Sequence, residues 1–365
     1  MNLLEELDEI VLKNVRIDVE ELVIELETPS QRIIRKLPLP KQEFFLPIYE
    51  YSGKIAEVTI GGGSRKKVIK IGGQASLYWF EKGIENRAVI TYDVFDCPQP
   101  QFPKALKQAW SEVWDSPEEW AKKAVERGAD LVTIHLVSTD PKIMDTSPRE
   151  AARTVEEILQ AIDVPLVVGG CGNPEKDPKT LAKVAEIAEG ERCVLASANL
   201  DLDYKKIVEA AKKYDHNVVS WVSLDINDQK HLNRLLLKEG LPKERIIQDP
   251  TTAALGYGIE YTFTIIERIK QNALKGDEEL QMPISCGVTN AWGARESWRN
   301  VEEWGPREYR GPLWEAITGI TVLLAGADML MMLHPLATKK VKEIIQAIGR
   351  ELEGANVEYE KWLEV

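Results

Sequence analysis

Four stretches of this chain place glycine, amide, hydroxyl and carboxylate residues directly after apolar, β-rich runs. They are LVVGGCGNPEKD (166–177), ASANLDLDYKKI (196–207), DPTTAALGYGIEYT (249–262) and SCGVTNAWGARES (285–297). Amides and small hydroxyls dominate, and these groups recognise the hydrogen-bonding edge of a ligand. No lysine ends a strand, and no Ser–His–Asp arrangement or carboxylate pair emerges from the spacing. The pattern favours binding over acid–base catalysis, and we nominate no catalytic residue.

The first stretch is compatible with a phosphate loop, a metal site, or a strand end that brings its backbone close to a bulky group. Residues 169–172 lack the Gly-Lys-Ser/Thr that completes a phosphate loop, and Cys171 has no partner at ligand spacing. We therefore interpret this stretch as a strand end at which glycines permit close backbone approach. Asn173 then offers a neutral amide before a helix starts at Asp177-Pro178.

The cysteines and histidines are too dispersed for a metal site. No C-x-x-C spacing links the cysteines, which predicts free thiols and no iron–sulfur cluster or structural zinc in this chain. The cysteines are Cys97, Cys171, Cys193 and Cys286. Among the histidines, His216 and His231 resemble surface residues, whereas His135 and His334 follow strands as structural residues within reach of a site. We nominate no metal ligand.

Composition and charge exclude several classes of partner. The chain is 44% hydrophobic and 29% charged, and its formal net charge is −13. Such an acidic balance argues against nucleic-acid or anionic-membrane binding. The N-terminus lacks the basic and apolar regions of a signal peptide, and no apolar run reaches the roughly 18 residues of a membrane span. We expect a cytoplasmic protein.

Eight strand–helix units run from residue 87 onward. Short β-branched runs alternate with amphipathic helical stretches that begin at Ser, Asp or Pro and often end at Gly. Eight such units at this length predict an α/β fold, a (β/α)8 TIM barrel. We expect it over 87–352, with a C-terminal tail at 353–365. Residues 1–86 form an N-terminal extension of a helix, an irregular segment and a β-hairpin around Gly61-Gly62-Gly63.

The loop after the seventh strand, 289–314, holds four of the ten tryptophans together with several arginines. Long βα loops in compact barrels are usually functional, and amphipathic aromatics suit a flat partner. A loop that packs its own tryptophans is the alternative. The tryptophans are Trp292, Trp298, Trp304 and Trp314.

Together the four stretches resemble the small (delta) subunit of the corrinoid iron–sulfur protein of the acetyl-CoA decarbonylase/synthase system. The similarity covers the barrel and the preceding AEVTIGGG hairpin, and DPTTAALGYGIEYT is its most unusual segment. This resemblance implies a barrel subunit paired with a large (gamma) subunit that carries the [4Fe–4S] cluster and a corrinoid (cobalamin). A methyltransferase and acetyl-CoA synthase are implied as transient partners, in methyl transfer from a methyltetrahydropterin.

The resemblance further implies that the barrel mouth faces and shields the corrinoid. Candidate residues for that surface, or for a pterin-like site, are Gly170, Cys171, Asn173, Asn199, Asp249, Thr251, Thr252, Asn290 and Trp292.

Two alternatives remain at this point. Related pterin-binding methyltransferases hold the pterin with Asp or Asn at strand ends, where this chain has Asn199, Asp249 and Asn290. It departs from them at strand 3, which carries no carboxylate. A self-sufficient methyltransferase is therefore the second hypothesis, and a TIM-barrel enzyme of unrelated chemistry is the third.

Overall fold

The computed structural model describes residues 50–79 and 84–348, together with the backbone of two short strands, 26–28 and 31–33. Contacts divide the chain into two compact units, Met1–Tyr49 and Glu50–Val365. In the first unit, β1 (Leu26–Thr28) pairs antiparallel with β2 (Gln31–Ile33). The predicted helix near the N-terminus and the C-terminal tail lie outside the described residues. The second unit includes the predicted hairpin.

The predicted barrel is confirmed. Eight strands form one parallel sheet in the order β10-β9-β8-β7-β6-β5-β12-β11, and a parallel bridge between Gln248 and Ile284 joins its two edges. The strands are β5 (Val89–Phe95), β6 (Leu131–His135), β7 (Leu166–Gly169), β8 (Val194–Ala198), β9 (Asn217–Trp221), β10 (Ile246–Asp249), β11 (Ser285–Gly287) and β12 (Met329–Met332).

Helices follow the strands and cover the barrel. Ser147 and Glu150 form a capping box at the start of α3, and Asp203 and Asp225 accept backbone N–H groups at the starts of α5 and α6. The helices are α1 (Lys104–Ala109), α2 (Pro117–Glu126), α3 (Pro148–Ala161), α4 (Asp177–Ile187), α5 (Tyr204–Tyr214), α6 (Ile226–Lys238), α7 (Ile259–Leu274), α8 (Arg295–Trp298), α9 (Arg307–Ala325) and α10 (Pro335–Ile348). No helix of the described residues is long and apolar enough to cross a membrane.

The predicted hairpin is also present and closes the lower end of the barrel. Strands β3 (Glu57–Ile60) and β4 (Ile69–Gly72) pair antiparallel on either side of the glycine-rich turn. The buried hairpin residues Val58, Ile60 and Ile71 pack against residues at or near the starts of the barrel strands, such as Val89 and Leu131. We call this apolar cluster the plug. It closes the end of the barrel at which the strands start, and we call the opposite end, where the strands finish, the mouth.

The expectation that His216 lies at the surface is wrong. Its side chain is 1% exposed; Nδ1 accepts the N–H of Cys193, and Nε2 lies 2.9 Å from the carbonyl of Ala185. Burial, the largest influence, lowers its pKa. The ring satisfies backbone groups between α4 and β8, a role that local sequence does not reveal.

Candidate functional site

On β5 and β6 the inward face changes from apolar to polar towards the mouth. Along β5 the inward residues are Val89, Thr91 and Asp93, and along β6 they are Leu131, Thr133 and His135. The Thr91 and Thr133 hydroxyls lie 2.7 Å apart and form a polar layer above the plug. Alternation in a strand therefore carries polar side chains to the mouth on the same face as the barrel core.

A buried carboxylate, Asp249, lies at the end of β10. It accepts the N–H of Thr251 at 2.9 Å and the hydroxyl of Ser285 at 3.1 Å. Burial raises the pKa of Asp249 to about 6, and these two donors oppose that rise. Proton uptake by this carboxyl therefore falls within a mildly acidic pH range.

The loop after β10 is held in a strained conformation. Thr251 has a φ of 70°, a region that β-branched residues rarely adopt. Its hydroxyl donates to the carbonyl of Val222 at 2.7 Å, and its own carbonyl accepts from Thr262. Such strain persists where surrounding bonds determine it, and it is frequent at functional sites.

The first residues after β11 connect two sides of the mouth. Asn290 donates to the carbonyl of Thr252 at 2.9 Å, and Thr289 donates its hydroxyl to Asp93 on β5. The Asp93 carboxylate also lies 3.1 Å from Nε2 of His135, whose ring stacks on Phe95. We call the residues Asp249, Ser285, Thr289, Asn290, Asp93 and His135 the polar arc.

The opposite side of the mouth carries little side-chain volume. We call Gly169, Gly170, Cys171 and Ala196, at the ends of β7 and β8, the small-residue arc. The interpretation of its glycines needs a correction at Gly170, where a Cβ would lie 2.4 Å from the carboxylate carbon of Asp177. The space is filled by that carboxylate and is not left open for a ligand.

Asp177 reaches back from the start of α4 to bind the loop. It accepts the N–H groups of Cys171 and Gly172, each at 2.9 Å, and lies 3.3 Å from the Cys171 sulfur. Burial raises the pKa of the Asp177 carboxyl against these donors. The third barrel strand, β7, carries no carboxylate, as the sequence indicates, but α4 supplies one through Asp177.

The side chains of two other predicted residues, Asn173 and Asn199, bind backbone groups close to them in sequence. Asn173 accepts the N–H groups of Glu175 and Lys176, and Asn199 accepts that of Asp201. The structure thus brings Asp249, Thr251, Thr252 and Asn290 together, and separately Gly170, Cys171 and Asn173. Asn199 and Trp292 belong to neither group.

Trp292 is 7% exposed and packs into the barrel wall. Its indole N–H donates to Glu315 at 2.8 Å, and its ring stacks against His334. Burial raises the pKa of Glu315 to about 7, although Leu333 and His334 N–H groups also donate to it. Trp292 therefore anchors the start of the loop at 289–314 to the barrel through its contacts with Glu315 and His334.

The rest of the loop combines both sequence interpretations. Trp314 donates its indole N–H to the carbonyl of Leu255, and Arg310 binds the carbonyls of Glu296, Arg299 and Gly305. Trp298 and Trp304 remain about 40% exposed at the surface. The loop packs part of its tryptophans and presents the others.

Sequence reasoning placed Asp93, His135 and Thr289 at strand ends without nominating them as binding residues, and it did not nominate Asp177. A signal for the first two exists: TYD at 91–93 and TIH at 133–135 both place polar residues two apart on one strand face. Asp177 carries no such signal, because its partners are recognised only once the loop has folded back. Among the described residues, no group of three or more His, Cys, Asp and Glu side chains is arranged to hold a metal ion.

The fold and the open end of the barrel define a TIM-barrel protein in which the polar arc lies beside the small-residue arc. Solved structures show the same fold: the 7,8-dihydropteroate synthase from Vibrio fischeri matches with a TM-score of 0.52 and 12% identity, covering 79% of this chain and 97% of that one. A dihydropteroate synthase from Xanthomonas albilineans gives 0.50 and 17%, covering 73% and 94%. At these identities the likeness concerns the fold alone.

Sequence comparison identifies the family. A family model described as the CO dehydrogenase/acetyl-CoA synthase delta subunit matches residues 57–302. The acetyl-CoA decarbonylase/synthase complex subunit delta of Methanothermobacter thermautotrophicus is 52% identical, covering 96% of this chain and 92% of that protein. The subunit of the same name from Methanocaldococcus jannaschii is 50% identical, covering 94% and 90%. The chain belongs to this delta-subunit family, which confirms the resemblance found in the sequence.

Proposed function

We propose that this chain is the barrel subunit that covers a corrinoid carried by a large partner subunit during methyl transfer in the acetyl-CoA decarbonylase/synthase complex. The observation that carries the proposal is the rim of the mouth. Exposed apolar side chains lie on the loops that follow β6, β8, β9 and β11: Ile143, Met144, Leu200, Leu224, Trp298 and Trp304. Exposed apolar side chains on several loops at one end of a barrel are typical of an interaction surface.

The floor of the mouth fits a large, mostly neutral group. Asp93 is matched by His135, Asp249 by two hydrogen-bond donors, and the small-residue arc presents backbone with little relief. When bound, the corrinoid supplies a nucleophilic cobalt that carries the methyl group. This chain's residues have a different task, which is to orient the ring and exclude water from its face.

The division of labour implied by the family can be tested on the separate chains. We expect the isolated chain to be purified colourless and to bind cobalamin weakly until the large subunit is added. Equilibrium dialysis with cobalamin, with and without that subunit, measures this. Tight stoichiometric cobalamin or iron on the isolated chain contradicts the proposal.

Substitution of exposed apolar residues by aspartate tests whether the rim of the mouth contacts the large subunit. The double substitution Met144→Asp and Leu200→Asp places carboxylates on two different loops of the rim and should weaken association with the corrinoid-loaded large subunit at least tenfold, because burying an unpaired charge is costly. Val68→Asp is the matched control, since Val68 is 53% exposed in the turn between β3 and β4 at the other end of the barrel. Equal affinities for both variants in biolayer interferometry contradict docking at the mouth.

A second function, binding of a methyltetrahydropterin by this chain itself, is favoured by Asp249. A pterin edge presents alternating donors and acceptors, which a carboxylate that changes protonation near pH 6 and a neighbouring amide suit. Calorimetry of the isolated chain with methyltetrahydrofolate and its methanopterin analogue tests it. Binding that is lost in Asp249→Ala and Asn290→Ala supports this function; the absence of any heat of binding excludes it.

A further inference from the structure

His135 is held at the mouth from two sides. Its Nε2 lies 3.1 Å from Oδ1 of Asp93, and its ring stacks on Phe95 with centroids 4.9 Å apart and planes at 24°. The other oxygen of Asp93 accepts the Thr289 hydroxyl, so the carboxylate that faces the imidazole is itself fixed. The Nε2 atom of the ring thereby lies against a carboxylate of the protein.

The other nitrogen, Nδ1, faces a space that Gly169 keeps open. A Cβ at Gly169 would lie 3.0 Å from Nδ1 and 3.6 Å from Cε1 of the imidazole, so a side chain at this position would cover the ring edge. The His135 side chain is 26% exposed, and none of the hydrogen bonds found among the described residues involves its Nδ1. The imidazole is therefore oriented by the barrel while one polar atom remains available at the mouth.

Charge favours the protonated ring. Burial disfavours the imidazolium, but the Asp93 carboxylate, by charge and hydrogen bonding, and Asp96 more than offset it, so the pKa of His135 is raised. Both carboxylates belong to β5 or the loop after it, Thr289 on the β11 side is uncharged, and β7 contributes only Gly169. A protonated ring that is paired with the Asp93 carboxylate through Nε2 leaves Nδ1–H as a second donor.

We propose that His135 Nδ1–H donates a hydrogen bond to an acceptor oxygen of the molecule that docks on the mouth. The inference rests on the proposed function: the corrin periphery carries amide side chains whose carbonyls are such acceptors, and a pterin's carboxylate tail is the other source of the same chemistry. His135 is thus a binding residue that positions the docked ring.

The test uses the full chain and the corrinoid-loaded large subunit, with dissociation constants measured by interferometry between pH 6 and 9. Gly169→Ala places a methyl group 3.0 Å from Nδ1, so the imidazole must shift by a few tenths of an ångström and its outward edge is covered. The variant keeps the side chains of His135, Asp93 and Phe95 and should weaken binding by about tenfold to a hundredfold, the effect of one charge-assisted hydrogen bond. Gly293→Ala is the control, because a Cβ at Gly293 meets nothing within 4 Å. Thermal melts establish that both variants fold.

The pH profile separates a bound donor from a packing effect. Wild-type affinity should fall as the pH rises through the raised pKa of His135, whereas His135→Gln, a neutral donor, should bind with a flat profile. Calorimetry with methyltetrahydrofolate tests whether the acceptor is instead the carboxylate tail of a pterin. Equal affinities and pH profiles for wild type and Gly169→Ala overturn this inference alone; failure of the wild type to bind the loaded partner at any pH overturns the proposed function.

Discussion

The polar groups at the strand ends are hydrogen-bonded differently in the polar arc and in the small-residue arc. In the polar arc, side chains of different segments bind one another: Thr289 after β11 donates to Asp93 on β5, and Ser285 on β11 donates to Asp249 on the adjacent β10. In the small-residue arc, one carboxylate, Asp177, binds the backbone of a loop that has almost no side chains. The first arc consists of polar side chains, and the second consists largely of backbone.

This difference indicates where each arc is vulnerable. Loss of one side chain in the polar arc leaves its partners other donors or solvent. In the loop at 170–172, the N–H groups of Cys171 and Gly172 both bind the single acceptor Asp177. The following predictions test that contrast, beginning with the largest expected effect.

Asp177→Ala should destabilise the protein by about 4 kcal/mol, because two charge-assisted hydrogen bonds to partly buried N–H groups are lost together. Urea unfolding followed by circular dichroism measures this as a lower midpoint at an unchanged m-value. Asp203→Ala removes an exposed aspartate that caps α5 through one long bond of 3.4 Å and should cost about 1 kcal/mol or less. Equal losses in both variants would mean that Asp177 is an ordinary helix cap.

Asp249 should make stability depend on pH. Its pKa is about 6 when folded against a usual 3.8, so the folded state retains a proton that the unfolded chain has released. The resulting destabilisation is absent below about pH 4, grows as the pH rises to 6, and reaches roughly 3 kcal/mol above that. Asp249→Asn should remove this dependence. Parallel wild-type and variant melting curves from pH 4 to 7 would show that Asp249 does not titrate as described.

Gly170→Ala should cost about 2 kcal/mol, because the new methyl group overlaps the Asp177 carboxylate. In an Asp177→Ala background the same substitution should cost almost nothing, since the overlapping group has gone. A double-mutant cycle by urea unfolding measures the coupling. Additive effects would show that Gly170 is needed for another reason.

Thr289→Val should cost about 1 kcal/mol, because it removes one hydrogen bond within the polar arc and leaves Asp93 its contact with His135. Thr264→Val is the matched control, an exposed threonine whose hydroxyl binds its own helix at Glu260. If chemical denaturation gives a loss as large as that for Asp177→Ala, the contrast between the arcs does not hold.

Much of the fold could be predicted because the relevant physics is local. Alternation along each strand, the β-branched runs and the Ser, Asp and Pro starts of helices are all written within short windows. Strand ends also gave half of the candidate site, since parallel strands bring Asp249, Thr251, Thr252 and Asn290 to one edge. The hairpin was evident from its glycine-rich turn, but its position beneath the barrel was not.

The sequence by itself determined the barrel, the end of the barrel at which the candidate site residues lie and the family to which the chain belongs. Tertiary structure decided which polar groups meet: Asp93 with His135 and Thr289, Asp177 with the loop after β7, and Trp292 with Glu315 and His334. These contacts join residues whose pairing depends on strand register, helix position and burial. Local pattern constrains backbone form, whereas hydrogen-bond partners and shifted pKa values follow from the three-dimensional surroundings of each group.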